Sequence, residues 1–197
     1  VIDARIYLLP AGFYNILLSA RDSLSRNSWT AHDTLTVMQR PADELTISDI
    51  ELASHILPMQ FRPKFSRGDF SLVPNPRRIY GGERSFLIYY IEIYPPDLSI
   101  PDEAVYSIDR WILNGIQDTV RAFDPKIKTG ARSGFADLDT IDLAELSTGA
   151  YQLSISATDQ DGSSATSSIR FYIYDKNRLP VNFRKAVNIK EVDEELA

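Results

Sequence analysis

The chain has 197 residues, of which 44% are hydrophobic, with 10 Tyr and 9 Phe. That is length and apolar content enough for a packed core, and it excludes wholesale disorder. A formal net charge of −6 and no run of four Lys or Arg argue against nucleic acid, whose binders need a basic patch to displace phosphate counterions. The lack of cysteine removes disulfides, thiolate nucleophiles and cysteine-ligated zinc together.

In chain order, residues 9–22 (LPAGFYNILLSARD) read as a corner at Pro10-Ala11-Gly12, then a strand in which Tyr14, Ile16 and Leu18 alternate with period two. Residues 32–38 (HDTLTVM) read as its hairpin partner, and 39–44 (QRPADE) as a polar linker. Strands are then expected at 45–53, 69–74, 84–94, 105–114, 117–123, 135–143, 150–159 and 166–174. Turn signals fall at Pro74-Asn75-Pro76, Gly81-Gly82, Pro95-Pro96-Asp97, Gly130 and Asp161-Gly162. After 175 the alternation ends, and 176–197 read as a connector with an acidic end. No apolar stretch is long enough to span a bilayer, and Val1 opens directly on strand-like sequence, as a cut end would.

Residues 146–159 (LSTGAYQLSISATD) repeat residues 9–22 without a gap. Leu9/Leu146, Gly12/Gly149, Tyr14/Tyr151, Ser19/Ser156, Ala20/Ala157 and Asp22/Asp159 match. A tyrosine just after a strand-end corner suits the tyrosine corner of an immunoglobulin-like sandwich, where strand E turns into strand F. The expected fold is therefore all-β, with immunoglobulin or fibronectin-III-like β-sandwiches in tandem. Residues 1–38 would be the last strands of a first, partial sandwich, and 45–175 a complete second one.

Little chemistry is offered. His32 and His55 lie far apart and read as surface residues. Asp137, Asp139, Asp142 and Glu145 cluster as glycosidase acids can. Leu138, Ile141 and Leu143 nearly alternate with them, which predicts acids pointing outward from a strand. Asp159-Gln160-Asp161-Gly162 resembles the opening of a calcium loop but lacks the later Glu. A plain turn accounts for it, and calcium at Asp159 and Asp161 stays open. Arg67-Gly68-Asp69 spells an integrin tripeptide and reads as a turn entering a strand. Trp29, Trp111, Tyr80, Tyr89, Tyr90 and Tyr94 are either a glycan-stacking face or core. In SFLIYYIEIY, Phe86, Ile88, Tyr90 and Glu92 share one face, and Leu87, Tyr89, Ile91 and Ile93 the other. Both faces are largely apolar, as in a central strand.

ISDIELA (47–53), SLVPNPRRIYG (71–81), YYIEIY (89–94) and the block Leu146-x-x-Gly149-x-Tyr151-x-Leu153-x-x-Ser156-Ala157-x-Asp159 together resemble the region upstream of the GWxTD domain in bacterial GWxTD-domain proteins. The resemblance covers most of 9–175; the G-W-x-T-D motif itself is absent. It implies an exported, extracytoplasmic protein of tandem sandwiches followed by a helical domain, and it transfers no catalytic residue. The expected function is a structural or protein-interaction module without catalytic, cofactor or metal residues. The alternatives are a glycan-binding module and an accessory domain of a larger hydrolase.

Overall fold

The computed structural model describes residues 7–58, 63–67, 69–82, 85–96, 103–131 and 133–175. These form two compact units, one within residues 7–41 and one within residues 42–175. The predicted connector at 176–197 lies outside the described residues. Among them, no helix is long and apolar enough to cross a membrane.

The first unit is a hairpin of β1 (Gly12–Arg21) and β2 (Ser28–Val37), paired in unbroken antiparallel register from Gly12↔Val37 to Arg21↔Ser28. Its loop is organised by Asp22. The carboxylate accepts from the Ser25 hydroxyl at 2.6 Å and the Leu24 amide at 2.9 Å, and these bonds hold its pKa below the usual carboxylate value.

The second unit is a β-sandwich of two six-stranded sheets. Its strands are β3 (Thr46–Ile47), β4 (Glu51–Pro58), β5 (Ser66–Arg67), β6 (Phe70–Pro74), β7 (Ile79–Tyr80), β8 (Phe86–Tyr94), β9 (Glu103–Asn114), β10 (Thr119–Ala122), β11 (Lys126–Ala131), β12 (Phe135–Asp142), β13 (Gly149–Thr158) and β14 (Ser164–Ile173). One sheet runs β12–β8–β4–β6–β5, with β3 also on β8. The other runs β10–β9–β13–β14–β7, with β11 also on β9. The chain changes sheet between β6 and β7, β7 and β8, β8 and β9, β11 and β12, and β12 and β13.

The core is the alternate row of each inner strand: Leu87, Tyr89, Ile91 and Ile93 of β8 against Tyr106, Ile108 and Ile112 of β9, Leu153 and Ile155 of β13, and Phe171 of β14. Full burial of each such side chain contributes about 1.5–3 kcal/mol. Period-two alternation thus placed the expected rows of β8 correctly, with Phe86, Ile88, Tyr90 and Glu92 outward.

The two repeat blocks have the same local structure. Tyr14 donates to the Pro10 carbonyl at 2.7 Å, and Tyr151 to the Ser147 carbonyl at 2.9 Å, each four residues back. Each corner opens a ten-residue strand at its Gly and each strand pairs with the next in full register. Each hairpin loop starts on an Asp whose carboxylate takes loop amides. Asp159 accepts from Asp161 N at 3.0 Å and Ser163 N at 2.9 Å.

Three short strands escape the sequence pattern: β5, β7 and β11. The expected strand at 45–53 is broken into β3 and β4, with Ser48 bonding the Glu92 backbone across the gap. Gly130, expected in a turn, lies inside β11. A Cβ there would sit 2.1 Å from the Phe135 ring, so the glycine is room for that ring, which packs 4.9 Å from Tyr106.

Candidate functional site

The concentration of charge inside the sandwich lies along the edge where β11 faces β12. Alternation on β11 turns Lys126 and Lys128 inward, since they pair with the core residues Ile108 and Tyr106. Alternation on β12 turns Asp137 and Asp139 inward, opposite Ile91 and Tyr89. Arg110 of β9 and Tyr89 of β8 complete the group from the two sheet centres.

Of the four acids expected to point outward, Asp142 and Glu145 are exposed, but Asp137 and Asp139 point in. Asp137 is fully buried, at 0% exposure. Its Oδ1 lies 2.6 Å from Lys128 Nζ and 3.3 Å from Lys126 Nζ, and its Oδ2 accepts the Tyr89 hydroxyl at 2.6 Å. Asp139 takes Lys126 at 2.7 Å and Arg110 Nη1 at 2.5 Å. Arg110, only 8% exposed, spends Nη2 on the Asp124 carbonyl at 2.9 Å and lies over the Phe123 ring. The reversal has a physical cause. Leu138 is out of phase with Ile141 and Leu143, and the cations of β11 supply the partners without which a buried carboxylate would be prohibitive.

The electrostatics follow from this packing. Burial alone would push the Asp137 carboxyl up, but the bonds from Lys128 and Tyr89 and the Lys126 charge outweigh it, and its pKa lies below the usual carboxylate value. Asp139 behaves alike: burial is outweighed by Lys126, the Thr140 amide and Arg110. The Tyr89 hydroxyl is driven upward by burial and by its bond to Asp137. A general acid or base needs a pKa near the working pH. Here both carboxylates lie below the usual value, and each is ion-paired with two cations.

The other sequence candidates do not converge. His32 lies on β2 in the first unit, beside Asn15, Asp33 and Thr34 in a shallow surface recess. His55 is on β4, its ring Nδ1 3.1 Å from the Ser54 hydroxyl. Asp142 accepts the Ala144 amide in a turn, and Glu145 is exposed beyond the strand. Asp159 is committed to its own loop amides, and among the described residues no three His, Asp or Glu gather to hold a metal. In the integrin-like tripeptide, Gly68 lies outside the described residues. Arg67 is drawn onto the sheet face by Glu51 at 2.7 Å and by the Tyr90 ring.

Nor do the aromatics form one platform. Tyr80 and Tyr89 are core, and Trp111 is half-buried on the outside of β9. Trp29 is on the first unit. Tyr90 and Tyr94 share the outer face of β8, where both hydroxyls donate to Glu92, and Phe70 packs on Tyr90. Sequence reasoning missed the cluster because Lys126-x-Lys128 resembles a polar loop. The available signal was that Lys-x-Lys and Asp-x-Asp share one spacing on either side of a glycine-bearing connection, so matched rows can face each other.

No protein-family model matches this chain, and no curated protein matches it.

Proposed function

We propose that the chain is a non-catalytic structural or protein-interaction module made of tandem immunoglobulin-like sandwiches. In this reading β1 and β2 are the closing F–G pair of a first sandwich, and residues 45–175 are the second. The observation that carries it is the pair of equivalent tyrosine corners, each opening a hairpin of two ten-residue strands with an Asp-organised loop. Depressed carboxylate pKa values at the one buried acid pair described support a structural rather than an acid/base role. An exported, extracytoplasmic bacterial setting, and a partner that is protein and not nucleic acid, are part of the proposal. The setting rests on the likeness to GWxTD-domain proteins, and the exclusion of nucleic acid on the acidic balance.

The test is a panel of chromogenic esters, glycosides and phosphate esters together with a glycan array, using the purified chain. No turnover above the buffer blank and no glycan retained is the expected result. Turnover that disappears in Asp137→Asn, or a reproducible glycan hit, would overturn the proposal.

A further inference from the structure

Among the described residues, one long strand of the sandwich is paired on one side only over most of its length. β13 pairs with all ten residues of β14, whereas β7 pairs with Tyr172 and Ile173 alone. The Tyr172 amide donates to the Arg78 carbonyl at 2.9 Å and the Tyr174 amide to the Tyr80 carbonyl at 2.8 Å. Even-numbered residues of β14 therefore turn their backbone groups away from β13. The register with β13 has no shift back to Ser164. By the strict alternation of an antiparallel ladder, the N–H and C=O of Ser164, Thr166 and Ser168 also point off the sheet. Among the described residues, no strand pairs with them.

Soluble proteins usually blunt such an edge with proline, lysine, a bulge or a covering loop. Ser164-Ala165-Thr166-Ser167-Ser168-Ile169 has no proline, no charge and no bulge. The core also thins along it. Ala165, Ser167 and Ile169 are half-buried, while the residues opposite on β13, Ala157, Ile155 and Leu153, are fully buried. β14 also lies near β3, whose Thr46 hydroxyl is buried without a hydrogen-bond partner among the described residues.

Alternating backbone donors and acceptors beside half-covered small side chains have one good match: another extended backbone with apolar side chains at every second position. Six residues at about 3.3 Å each give an edge ~20 Å long. That is too short to bury the ~800 Å² per partner that a stable dimer uses, which favours a peptide segment over a second copy of the chain.

We propose that the Ser164–Ile169 edge of β14 captures an extended segment of a partner protein by strand addition, its alternate apolar side chains seating beside Ala165, Ser167 and Ile169. This rests on reading the chain as a protein-interaction module, and it names the surface.

Amide hydrogen exchange by NMR on the whole chain tests it. In the free protein Thr166 and Ser168 exchange at least about tenfold faster than Ala165, Ser167 and Ile169. The probe is a ten-residue peptide of alternating Thr and Val at millimolar concentration. It slows Thr166 and Ser168 by about tenfold or more and leaves the odd-numbered amides unchanged. Thr166→Pro abolishes the effect while the β13 ladder persists, because that N–H takes no part in the ladder. Ser168→Pro does the same and serves if the first variant fails to fold.

Protection of Thr166 and Ser168 in the free chain would mean that the chain covers its own edge, and would overturn the proposal. Absence of any peptide effect, or an equal effect on a folded proline variant, would also overturn it. A partner that binds Thr166→Pro as tightly as the natural chain would sink the edge and leave the module reading standing.

Discussion

Asp137 is a fully buried carboxylate whose ionised form depends on two lysines and one phenol. Asp137→Asn keeps the volume but removes the charge that Lys126 and Lys128 face. Breaking a buried pair from one side costs about 3–5 kcal/mol, reduced here because both ammonium groups still reach water. Urea unfolding of the variant should show a loss of about 2–4 kcal/mol, and a loss under about 0.5 kcal/mol would show that the cluster is ornamental. The pH dependence has a definite sign. Asp137 and Asp139 both have folded pKa values below their unfolded ones, so their contribution is complete above the unfolded value of about 3.9. It fades as pH falls through the lower folded values. Stability is therefore flat from neutral pH down to about 5 and drops below about 4. In Asp137→Asn that drop is shallower, which acid titration followed by circular dichroism would reveal.

β7 is two residues long, yet it holds the far end of β14 and carries Tyr80 into the core, where its ring meets Phe171 edge-on at 6.0 Å. Its exit depends on Gly81, which has φ of +123° and whose Cβ, if present, would lie 2.1 Å from the Tyr174 carbonyl oxygen. Backbone cannot give way as a side chain can. Gly81→Ala should cost about 2–4 kcal/mol by strain and by loosening β7 from β14. Gly82→Ala next to it meets open space, though its φ of +57° still carries a smaller penalty of about 1 kcal/mol. Equal thermal shifts for the two would refute the contact argument. The longer elements were legible because alternation and turn residues agree locally: β8, β9, β12, β13 and β14 begin and end within two residues of their expected bounds. β7 and β11 were not, since a two-residue strand has no period and Lys-Ile-Lys-Thr-Gly carries apolar weight only on its exposed face. Alternation also fixes a period but not its phase. Which row of β12 faces inward was decided by Lys126 and Lys128 on another strand, which a reading of ADLDTIDL alone does not include.

On the scale of the whole molecule, the repeat matters more than any single strand. Tyr14 and Tyr151, and Asp22 and Asp159, do the same local work in both units, yet their surroundings differ sharply. In the second unit Leu153, Ile155 and Phe171 are buried by the facing sheet. In the first, Leu18, at the position of Ile155, is 55% exposed, and Trp29 is 60% exposed. A lone two-stranded ribbon is marginal in water, and every side chain of the buried core cluster lies between Leu45 and Ile173. Among the described residues, no side chain of the hairpin belongs to that cluster. Removing residues 5–41 should leave the urea-derived unfolding free energy of the sandwich unchanged within about 0.5 kcal/mol, while in the whole chain the amides of β1 and β2 exchange orders of magnitude faster than those of β13 and β14. An unfolding free energy that falls by more than about 1 kcal/mol on truncation, or β1 amides as slow as those of β13, would show that the hairpin is stabilised within this chain.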